Sequence, residues 1–99
     1  MLRSKKSQTK HDKKIRDLAK EYKDKGYDVK ADIPGYKSPE TIYGKRPDLI
    51  AKKKGHETAI EIETPDSVDS TRDKKQQKAF KNWRNRKTTR HYKRIVTDR

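Results

Sequence analysis

Arg46-Pro47-Asp48-Leu49-Ile50-Ala51, then Lys52-Lys53-Lys54-Gly55, then His56-Glu57-Thr58-Ala59-Ile60-Glu61-Ile62-Glu63-Thr64, reads as two strands joined by a tight lysine-glycine turn. Pro47 suits a strand start, where no ladder donor is required. Leu49, Ile50 and Ala51 make a short apolar run, and Gly55 supplies the turn residue between two extended segments. In the second strand side chains alternate between faces. Ile60 and Ile62 point one way, and Ala59, Glu61 and Glu63 the other.

The carboxylates of Glu61 and Glu63 therefore project side by side, roughly 6.5–7 Å apart. Asp48 opens the neighbouring strand and can reach the same face. Three acids beside an apolar core repel one another unless a cation sits between them. Hard divalent ions such as Mg²⁺, or Mn²⁺, take oxygen ligands of this kind. The plainer alternative is a solvated face, with Glu61 and Glu63 opposite Lys52 to Lys54 across the hairpin.

Composition bounds these readings. Ninety-nine residues make one domain, and with 26% apolar and 44% charged residues its core is small. Such a fold gains from a bound ion, nucleic acid or a second copy of the chain, so a homodimer is an open expectation. Without cysteine there is neither a disulfide framework nor a thiolate metal site. No apolar stretch approaches membrane-spanning length, and the basic N-terminus is not followed by an apolar signal core; the expected location is cytoplasmic. The net charge of +14 is uneven, at +6 over residues 1–30, −2 over 31–71 and +10 over 72–99. Basic ends attract a polyanion, DNA favoured, while an acidic centre repels phosphate unless metal neutralises it.

Outside the central stretch, residues 1–7 read as a basic flexible arm and 8–99 as the single domain. From Gln8 to Lys25, His11, Ile15, Leu18, Ala19 and Tyr22 recur at helical spacing, with Ser7 or Thr9 as a cap and Gly26 as the stop. Tyr27 to Ile33 alternates as a strand, and Pro34 to Arg46 is a longer loop. Thr71 to Arg84, capped by Asp69 or Ser70, is a second helix, and Thr89 to Thr97 is a final strand. Candidate phosphate or base contacts are Lys5, Lys6, Tyr36, Lys37, Lys45, Arg46, Arg72, Arg84, Arg86 and Lys87. Tyr36 and Tyr43 read equally well as pins holding the loop to the body.

The order helix, strand, strand, strand, helix, strand, with Pro47-Asp48 opening one strand and Glu61-Ile62-Glu63 inside the next, resembles the PD-(D/E)XK nuclease superfamily. That group includes archaeal Holliday junction resolvases, restriction endonucleases and repair nucleases. The resemblance runs from about Gln8 to Val96. It implies an α/β (α+β) restriction-endonuclease-like αβββαβ core, a mixed central sheet flanked by helices. It also implies that Asp48, Glu61 and the backbone carbonyl of Ile62 bind Mg²⁺ or Mn²⁺, with Glu63 as a further ligand. Glu63 stands where the superfamily usually has lysine. Lys75 or Lys78 on the second helix are the candidates to replace that lysine, with Gln76 beside them. A first-helix acid is matched only loosely by Asp12 or Glu21, or by His11 in its place. The implied function is a metal-dependent nuclease, an endonuclease recognising backbone or branched structure. The alternative is a non-catalytic nucleic-acid-binding protein on the same fold.

Overall fold

The computed structural model describes residues 5–65, 68 and 70–97, with side chains from residue 8 onward. The element order is α1 (Lys5–Asp24), β1 (Asp28–Ala31), β2 (Leu49–Lys53), β3 (His56–Glu63), α2 (Thr71–Asn85) and β4 (Arg90–Val96). The four strands form one sheet in the order β1-β2-β3-β4. The pairs β1–β2 and β2–β3 are antiparallel and β3–β4 is parallel, so the sheet is mixed as expected. The parallel pair requires a crossover, which α2 supplies. Among the described residues no helix is long and apolar enough to cross a membrane.

Helix α1 forms because its apolar residues fall on one stripe while i,i+4 ion pairs lace the opposite face. These pairs are Lys13–Asp17 at 3.1 Å, Lys20–Asp24 at 3.3 Å and Lys25–Glu21 at 3.2 Å. Each exposed pair is worth only about 0.3–0.5 kcal/mol, so the buried stripe dominates. The helix begins at Lys5, so Ser7 and Thr9 lie inside it and are not its cap. Gly26 ends it with a positive φ of 89°. The Gly26 N–H donates to the Lys23 carbonyl and the Tyr27 N–H to the Tyr22 carbonyl, the paired bonds of a Schellman motif. Strand β1 is shorter than the alternation predicts, although the next residue, Asp32, keeps a bond to Asp48 in the same register. The Ala31 N–H donates to Lys37 and that of Asp32 to Asp48.

The sheet carries a small core on each side. Between α1 and the sheet lie Ile15, Ala19, Ala31, Ile33, Leu49, Ala51, Ile60 and Ile62. Facing α2 are Ile42, Ile50, Ala59, Phe80 and Trp83. Each fully buried large side chain, such as Phe80 or Leu49, contributes about 1.5–3 kcal/mol. Ser70 caps α2, its Oγ accepting from the Asp73 N–H at 3.1 Å. Asp69 lies outside the described residues. Asp73 is buried and takes a two-pronged ion pair from Arg94 of β4, at 2.6 and 3.3 Å. That contact ties the crossover helix to the edge strand.

Strand β3 is the centre of the molecule, buried on both faces from Thr58 to Glu63. This overturns the solvated-face alternative. The hairpin register sets Lys52 opposite Glu57 and Lys53 opposite His56, so no lysine stands across from Glu61.

Candidate active site at the end of the hairpin

The register that pairs Leu49 with Ile60 carries Asp48 to the position beside Glu61, on the face toward α2. One oxygen of Asp48 is fixed by the Ile62 N–H at 2.8 Å. From the other side of the sheet, His11 Nε2 comes within 3.2 Å of the same oxygen, while its Nδ1 lies 3.1 Å from Asp12 Oδ1. Each ring nitrogen thus has a carboxylate oxygen within 3.2 Å. His11 therefore holds the place expected of a first-helix acid. Asp12 stands one step removed behind it, and Glu21 is occupied on the outer face by Lys25.

Asp48 and Glu61 titrate as a pair. Burial pushes Glu61 up to about 10, and the neighbouring Asp48 charge and hydrogen bond push in the same direction. Burial also raises Asp48, but the His11 hydrogen bond and charge, then bonds from Glu61 and Ile62, outweigh it and leave Asp48 below the usual carboxylate range. One proton is thus kept between two carboxyl groups at neutral pH, on the Glu61 side. Glu61 is 3% exposed, and its Oε1 has no hydrogen-bond partner among the described residues. A buried, unpartnered carboxyl oxygen next to a second carboxylate fits a hard divalent cation.

These groups open into a cleft of about 310 Å³, lined by Asp32, Gly44, Lys45, Arg46, Asp48, Glu61, Arg72 and Gln76. The structure brings Asp48, Glu61, Gln76, Lys45, Arg46 and Arg72 together as the sequence suggests. Other candidates fall elsewhere. Glu63 is buried on the same strand but does not line the cleft, and among the described residues no cluster of three or more His, Asp or Glu side chains is arranged to hold a metal ion. The expectation of three converging acids is thus reduced to two. Lys75 and Lys78 are exposed, because helical spacing turns Gln76, not its neighbours, toward the sheet.

Tyr36 packs on the α1-side core beneath Lys23, so it pins the loop. Lys37 and Lys87 are exposed away from this cleft, Arg84 bonds Asn85, and Arg86 lines a second cleft. The side chains of Lys5 and Lys6 lie outside the described residues. Sequence reasoning missed Asp32 as a lining residue. Its only signal is long-range, the bond from its N–H to the Asp48 carbonyl.

No curated protein and no solved structure matches the chain. The family model described as AHJR-like, REase_AHJR-like, matches residues 3–88, most of the chain and every residue that lines the cleft. The chain belongs to this AHJR-like family of the restriction-endonuclease-like nuclease superfamily.

Proposed function

We propose that the protein is a metal-dependent nuclease that hydrolyses phosphodiester bonds of DNA, an endonuclease following backbone or branched structure rather than base sequence. The observation that carries this reading is the buried Asp48–Glu61 pair, set in a cleft rimmed by Lys45, Arg46 and Arg72. Asp48, Glu61 and the Ile62 carbonyl are the groups to hold Mg²⁺ or Mn²⁺. When bound, such an ion supplies Lewis-acid charge to the attacked phosphate and makes water easier to deprotonate. The chain's own residues do the rest. Lys45, Arg46 and Arg72 hold the phosphate against the repulsion of the acids. His11 and the Ile62 N–H fix the orientation of Asp48. Gln76, 7% exposed, is placed to hydrogen-bond water or phosphate in the cleft. Lys45 is the lysine of the lining, and it takes the part first expected of Lys75 or Lys78.

Plasmid cleavage tests the assignment. Asp48→Ala and Glu61→Ala should each lower Mg²⁺- or Mn²⁺-dependent cutting by roughly 10²–10³-fold, with DNA binding retained or tightened. Cutting at the wild-type rate by either variant removes the assignment. The non-catalytic reading is favoured by one observation: Glu63 replaces the usual lysine, and neither Lys75 nor Lys78 lines the cleft. A thermal melt separates the two. An ion at a hundred times its Kd stabilises a binding site by about 2.7 kcal/mol, whereas a binder without a metal site gains nothing.

A further inference from the structure

A second cleft, of about 500 Å³, opens on the same side of the sheet as the first. Ile50 of β2 lines it, and Asp48, two residues earlier and just before the strand, lines the other. Along β3, Glu57 and Glu61 mark the two clefts, about 13 Å apart at strand rise. Between them stands one turn. Ile42 and Lys45 exchange both backbone hydrogen bonds, and Tyr43 and Gly44 make the corner with φ of 50° and 78°. Tyr43 lines the second cleft, and Gly44, Lys45 and Arg46 line the first.

The second cleft has a different chemistry. Arg90 lies over Trp83, its guanidinium carbon 4.8 Å from the ring centre, and its Nη1 donates to the Trp83 carbonyl at 3.2 Å. Its Nε has no acceptor among the described residues, although Glu57 sits beside it in the ladder. Its position is thus set by the indole, not by a carboxylate. Tyr43 is a 56% exposed aromatic held in the left-handed region, a strain that surface packing does not explain. Its lining carries three cations, Lys52, Arg86 and Arg90, and two acids, Glu40 and Glu57, of which Glu40 is bonded to Lys30. Aromatic and guanidinium planes with both donors and acceptors suit a neutral, flat, polar-edged ring.

We propose that this cleft holds an unpaired nucleobase of the same strand whose phosphate lies at Asp48 and Glu61, stacked between Tyr43 and the Arg90–Trp83 pair. This rests on the nuclease reading and narrows it: the substrate is DNA with unstacked bases near the cut, as in single strands and branch points.

The test is a binding titration in EDTA with an oligothymidylate and an abasic oligomer of equal length, read by anisotropy and by the emission of Trp83, the single tryptophan. The wild type should prefer the intact oligomer about tenfold, with a change in Trp83 emission that the abasic oligomer does not produce. Arg90→Lys keeps the charge and loses the plane, and should bring the ratio near one. Tyr43→Ala removes an exposed side chain and should lower the ratio at least threefold by the same stacking argument. It carries the test if Arg90→Lys does not fold. Equal binding of the two oligomers by the wild type, a ratio unchanged by a folded variant, or no binding at all overturns the proposal. Failure of the nuclease reading shows separately, as metal-dependent cutting indifferent to Asp48→Ala.

Discussion

Glu61 is the residue on which the proposed chemistry turns, and burial gives its protonation a definite sign. Its pKa rises from 4.5 in the unfolded chain to about 10 in the fold. The stability tied to its proton is therefore fully present below pH 4.5, declines above it, and is lost as pH rises through 10. In the presence of chelator, the melting temperature of the wild type should fall between pH 6 and 9 by more than that of Glu61→Gln, whose amide needs no proton. On the proposed function, divalent ions should reverse the ranking, since only the wild type keeps the Glu61 carboxylate as a ligand. Because ligands must be deprotonated, loading Mg²⁺ or Mn²⁺ at pH 7 should release close to one proton per ion. Calorimetry in buffers of different ionisation enthalpy measures this directly. A Glu61→Gln variant that releases the same proton would show that the ion binds elsewhere.

At the scale of elements, the β2–β3 hairpin determines whether Asp48 and Glu61 meet. Its corner is Lys54-Gly55, with φ of 51° and 82°. Two positive φ values match a type I′ turn, whose right-handed twist suits the hairpin. Lysine is strained there and asparagine is not. Lys54→Asn should stabilise the protein by about 0.5–1 kcal/mol in chemical denaturation, with cleavage unchanged. A loss of stability would mean that the corner, and with it the register, is not as described. The turn and both strands were legible in the sequence, because Gly55 and the apolar runs are local signals. The helices were legible for the same reason: Ile15, Leu18 and Tyr22 share a stripe, and Gly26 stops it. What local pattern could not show was the environment of Glu61 and Glu63. Their alternation with Ile60 and Ile62 is that of a half-exposed strand, yet α1 and α2 cover its two faces. The same blindness explains Lys75 and Lys78. One residue of helix phase separates them from Gln76, and only packing against the sheet fixes that phase. His11 could be placed on the inner stripe of α1, but not beside Asp48 on the far side of the sheet edge, because that contact joins distant segments.

For the whole molecule, a charge of +14 invites the argument that any polyanion will bind anywhere. The structure makes a narrower claim. On α1, Lys13 and Lys20 are already paired along the helix with Asp17 and Asp24, whereas Arg46 and Arg72 line the cleft beside buried acids. A cation that neutralises a phosphate contributes about 0.9 to the slope of log binding constant against log salt concentration, and one that merely adds to the general field contributes far less. Arg46→Ala and Arg72→Ala should therefore each flatten that slope by about 0.9, and Lys20→Ala should leave it close to the wild-type value. Arg90→Lys should also leave it unchanged, because its partner is a base and its charge is kept. Salt titrations of single-stranded DNA binding in EDTA distinguish these cases within one series. Equal flattening by Lys20→Ala and Arg46→Ala would mean that the strand is held by diffuse charge and does not track the cleft. In that case the carboxylates would have no fixed phosphate to act upon.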